Sequence, residues 1–214
     1  MGANAWVKPL KFFLSIAIFL WSMGYYMLYL PNYKAVKAYS VMAVGVFIFE
    51  QTVVMAQAGR GQLSHFNIST PLNSLLFSFM GIAITVLAVW TAVMAVYFFK
   101  CPPPPSLEGF WWGIRLGLIC FVIFSFEGGL MAARLQHTVG APDGGPGLPL
   151  LNWSRQNGDL RIAHFIGMHA LQVLPMLGYF LLKKPAQIIT AALAYAAIAV
   201  WLFVRAMAAQ PLFF

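Results

Sequence analysis

Six separate runs of about twenty or more apolar residues constrain this chain more than anything else in it. A run of that length crosses about 30 Å of hydrocarbon, and inside lipid only helices or closed barrels satisfy their own backbone. The runs are Leu10–Leu30, Ala35–Ala58, Leu72–Phe99, Phe110–Ala133, Ile162–Leu182 and Ala186–Phe203. They predict an all-α, polytopic bundle of six transmembrane helices forming one integral membrane domain over residues 1–214. Composition agrees: 61% of residues are hydrophobic and 8% charged, against roughly 25% charged in a soluble domain.

The first run reaches Tyr25, Tyr26 and Tyr29 with no small-residue cleavage site, so it is expected to stay as a helix and not to leave as a signal peptide. A formal charge of +8 would suggest nucleic acid or acidic lipid in a soluble protein. Here the basic residues sit mostly at helix ends, where they anchor in lipid head groups, so the bilayer is the expected partner. Cys101 lies in a loop and Cys120 inside the fourth run, which argues against a disulfide.

Connections after the first, third and fifth runs are short and carry Lys34, Lys37, Lys100, Lys183 and Lys184. The opposite face receives "GRGQLSHFNISTP" and the long "RLQHTVGAPDGGPGLPLLNWSRQNGDLRIAH". Its Pro, Gly, Asn and Asp read as turn chemistry and not as helix or strand. A loop approaching about thirty residues in a compact protein is more often functional than idle. Counting Lys and Arg barely discriminates the two orientations; if the arginines serve function, the lysine loops are cytoplasmic and the long loop periplasmic.

An internal echo runs through the chain: Glu50, Met55, Arg60 and His65 match Glu127, Met131, Arg134 and His164 in order and residue type. Duplications of this kind recur in membrane folds. Glu50 lies about 12 Å inside its run and Glu127 about 9 Å inside its own. An intramembrane carboxylate must be protonated, paired or bound to a cation, which makes both candidate catalytic groups. Arg134 falls about 700° further round the helix than Glu127, on the same face, where a link to the carboxylate is expected.

All four histidines, His65, His137, His164 and His169, fall on the long-loop side together with Arg60, Arg134 and Arg161. His169, Gln172 and Met176 form one stripe of the fifth helix, expected to face protein or cofactor. His164 and His169 are about 140° apart around that helix, so they cannot clasp one iron from opposite sides. The i, i+4 zinc-protease motif is absent. Two site chemistries fit. In the first, His169 leads His65, His164 and His137 as ligand to haem b, and Arg60, Arg134 and Arg161 hold its propionates. In the second, the histidines with Glu50 and Glu127 bind zinc, copper or non-haem iron. The plainer reading of each polar group is helix pairing. A proton-coupled transporter using Glu50 and Glu127 without a cofactor is the rival of a different class. "TAALAYAA" in the last run suits close packing or a homo-oligomer.

"SHFN", "FEGG", "HTVGAPDGGPGLPLLNWS" and "GDLRIAHFIGMHALQVLP" resemble the shared motifs of a family of uncharacterised bacterial multi-pass membrane proteins. The resemblance spans most of the second to fifth runs and implies a bacterial inner-membrane location; it carries no activity across. In architecture alone the chain is also similar to b-type membrane cytochromes. It departs from them in having one layer of histidines, where two-haem members have two.

Overall fold

The computed structural model describes residues 4–212. It contains six helices: α1 (Val7–Met27), α2 (Tyr33–Gly59), α3 (Pro71–Lys100), α4 (Glu108–Arg134), α5 (Leu160–Phe180) and α6 (Pro185–Met207). Each is long and apolar enough to cross a membrane, so the chain is a multi-pass, all-α membrane protein. Some ends differ from the apolar runs. α1 begins three residues before Leu10 without a side-chain cap, and Pro9 fits its first turn because it has no hydrogen bond to lose there. α5 begins at Leu160 because the Asp159 carboxylate accepts from the Arg161 N–H as an N-cap.

The chain divides into two compact units, residues 1–90 and 91–214, with the boundary inside α3. In the first, α1 pairs with α2, and Val53, Val54 and Met80 form a core flanked by Phe12, Phe49 and Leu76. Asn32 caps α2 by accepting from the Ala35 N–H.

In the second unit α4, α5 and α6 pack against one another. α4 and α5 run antiparallel. A Cβ on Gly109 would fall 2.1 Å from the Leu182 carbonyl oxygen, one on Gly113 2.5 Å from that of Leu174, and one on Gly117 2.8 Å from that of Ala170. The four-residue spacing of these glycines lets two backbones touch. In lipid, where burying apolar side chains against each other gains little, such close approach supplies the packing energy. The end of α3 and the residue after it are held from α4: Arg115 donates to the carbonyls of Phe98, Phe99 and Cys101, and the Trp111 indole to those of Phe98 and Cys101.

The long loop is more regular than its turn composition suggests. β1 (Thr138–Val139) pairs antiparallel with β2 (Gly158–Asp159), and a further bridge joins Gly147 to Ser154. Turn residues still do the reversing: Leu135 ends α4 at φ 52°, and Gly140, Gly144 and Asn152 also have positive φ. The loop rests on the end of α6, where a Cβ on Gly158 would fall 2.0 Å from the Ala206 carbonyl oxygen.

Candidate functional site

The candidate site occupies the long-loop end of α4 and α5, and its frame is built from two aspartates. Asp143 accepts from the backbone N–H of His137 and Thr138. Asp159, almost fully buried, accepts from the N–H of Ser154 and Arg161 and takes two hydrogen bonds from the Arg161 guanidinium, at 2.9 and 2.6 Å. Burial alone would raise the Asp159 pKa. The Arg161 hydrogen bonds and charge, the Ser154 N–H and His137 outweigh it and hold the carboxyl below its ordinary value. The His137 Nδ1 lies 3.1 Å from Asp143 and 3.9 Å from Asp159. Neither aspartate was singled out from sequence. The signal was available in "GDLR", an Asp set just before a helix where an N-cap belongs.

Between these groups lies a cavity of about 210 Å³, lined among others by His137, Thr138, Asn152, Ser154, Asn157 and Arg161. One level deeper, the His164 Nδ1 lies 2.7 Å from the Phe124 carbonyl oxygen. A carbonyl can only accept, so Nδ1 carries a proton, and in the neutral ring Nε2 then offers a lone pair. The ring lies against Gly128: a Cβ there would stand 3.3 Å from Cε1 and 3.9 Å from Nε2. The preceding residue, Glu127, is buried, and neither of its carboxyl oxygens has a hydrogen-bond partner among the described residues.

The histidines have different immediate neighbours. His169 pairs with Gln172 at 3.2 Å and lies against the Phe165 ring. Met176, expected on the same covered stripe, is exposed, so the stripe leans out of the packed face. Within the second unit His137, His164 and His169 thus have three different partners. His65 belongs to the first unit, where it meets Ser64 and the rings of Phe12, Phe66 and Phe77. Burial, aided by the positive charge of Lys8, pushes its pKa well below the ordinary value. Among the described residues no three His, Cys, Asp or Glu side chains come together as a metal site requires.

The arginines likewise differ in their surroundings. Arg161 is engaged by Asp159, exposed Arg60 donates to Gln57, and Arg134 is exposed. The expected link between Glu127 and Arg134 is therefore not formed. Glu50 is buried in the first unit with Oε1 likewise unpartnered among the described residues. The echo is imperfect in burial, since Met131 is buried and Met55 exposed. Comparison with family models, curated proteins and solved structures returned no match.

Proposed function

We propose that this is a proton-handling membrane protein of the transporter class, working through Glu127 and His164 at the long-loop end of α4 and α5. The observation that carries the reading is the Glu127 carboxyl, buried in a membrane span with both oxygens unpartnered among the described residues. An ion left so is costly by several kcal/mol, and a proton or a bound cation removes the cost. The neutral His164, fixed through Nδ1, supplies a proton acceptor at Nε2 beside the neighbouring residue Gly128. Glu50 is the corresponding group of the first unit. Proteoliposomes carrying an imposed potential and an internal pH dye test this. The wild type should pass protons above protein-free vesicles and Glu127→Gln should reduce the flux at least tenfold; equal flux in the two, or none in the wild type, overturns the reading.

One observation favours haem as the second reading. An imidazole whose Nδ1–H is held by a backbone carbonyl is set to ligate through Nε2, which makes His164, not His169, the residue that would hold the group. Haem there would supply one-electron exchange. Arg161 is not free to pair with a propionate, because Asp159 already holds it. The absorption spectrum of protein purified from haem-replete cells decides: a Soret band lost in His164→Ala supports haem, and its absence in the wild type removes it. The setting we propose is the bacterial inner membrane with the long loop periplasmic. An impermeant maleimide should then label Gln156→Cys in intact cells when Cys101 and Cys120 are replaced by Ser.

A further inference from the structure

The loop cavity is separate from the carboxyl and imidazole inside the spans, and its chemistry is of a different kind. Its two nearby acids are committed to the frame: Asp143 to two backbone N–H groups and His137, Asp159 to two more and Arg161. Among the described residues no carboxylate lines the cavity. Arg161 does, but its charge is balanced by Asp159 at 2.6 Å. The N-terminus of α5, which would otherwise attract an anion, is already occupied by the Asp159 side chain. His137 also lines the cavity and pairs with Asp143 at 3.1 Å; what remains on the wall beside these paired groups is uncharged and two-sided. The carboxamides of Asn152, Gln156 and Asn157 and the hydroxyls of Thr138 and Ser154 offer donors and acceptors together.

We propose that this cavity binds a small uncharged polyhydroxy group, as a free polyol or as the hydroxylated headgroup of a lipid. A hydroxyl gives and takes hydrogen bonds at one atom, so it matches carboxamide and hydroxyl walls; an oxyanion only accepts and would set its charge against the carboxamide oxygens. The volume, about 210 Å³, falls below the roughly 300–1,000 Å³ typical of drug-sized sites, which restricts the occupant to a single small ring or a short chain. The cavity lies in the loop that joins α4 and α5, both long and apolar enough to span a membrane.

The test is the unfolding midpoint of the full chain in nanodiscs. In phosphatidylcholine discs, free myo-inositol is the first probe; discs containing phosphatidylglycerol without added polyol are the second arm. Binding raises the midpoint in proportion to the logarithm of free probe once the site is nearly saturated. Gly145 lines the cavity, has no positive φ, and a Cβ there meets nothing within 4 Å, so Gly145→Leu fills the space without backbone strain. A shift in either arm that Gly145→Leu abolishes supports the proposal and names the source of the ligand. Three results overturn it: no shift in either arm, a shift that Gly145→Leu retains, or a shift with acetate or inorganic phosphate and none with inositol or phosphatidylglycerol.

Discussion

Asp159 carries more of the loop than any other single side chain. It caps α5, holds Arg161 by two hydrogen bonds and receives the Ser154 N–H. Asp159→Ala removes the cap and leaves Arg161 without its counter-charge, at a cost of roughly 2–4 kcal/mol, read as a lowered unfolding midpoint. Asp159→Asn should cost less, since an amide still accepts. The pH dependence has a definite sign. The folded Asp159 pKa lies below the unfolded value, so its contribution is complete above about pH 4 and is lost as pH falls through the folded value. His65 acts earlier. It stays neutral in the folded state while the unfolded chain takes up a proton, so stability falls as pH drops below about 6.5. His65→Phe should flatten that part of the curve; an unchanged slope between pH 6.5 and 5 would contradict the burial argument. At this scale the sequence disclosed which residue types gather near the long loop. It did not disclose their partners, because whether a histidine meets Phe124, Gln172 or Asp143 depends on helix rotation and loop path, which periodicity alone leaves open.

The contact between α4 and α5 separates glycines that matter from glycines that do not. Gly113→Ala pushes a methyl against the Leu174 carbonyl and should cost about 2 kcal/mol or more by overpacking. Gly129→Ala, on the same helix with nothing within 4 Å, should be neutral or stabilise by up to about 1 kcal/mol. Thermal unfolding of the two variants makes the comparison. The six helices were legible as apolar runs because length and hydropathy are enough for a span. The glycine face of α4 was written as plainly, Gly109, Gly113 and Gly117 at four-residue intervals, but among residues so apolar it yields only to a question about backbone approach. The short strands of the loop left no mark, since two residues each are too few for an alternating pattern, and Thr138 of β1 is held by Asp143 from outside the ladder.

For the molecule as a whole, the boundary between the two units falls within α3 and not at a linker. The residues after Trp90 belong with α4, whose Arg115 and Trp111 collect carbonyls at and just after the end of α3. Cleavage in the proline-rich connection after Cys101 should therefore leave two fragments that co-purify in mild detergent, and Arg115→Leu should reduce the recovery of the second with the first. Hydropathy indicated six spans without showing how they group, since grouping follows from which faces touch. Gly158 has a parallel consequence. Its α-carbon sits so near the Ala206 carbonyl that β2 and α6 meet backbone to backbone, and β2 ends in the aspartate that grips Arg161. A side chain at position 158 would therefore push β2 away from α6 and disturb the grip on Arg161, whose side chain lines the cavity.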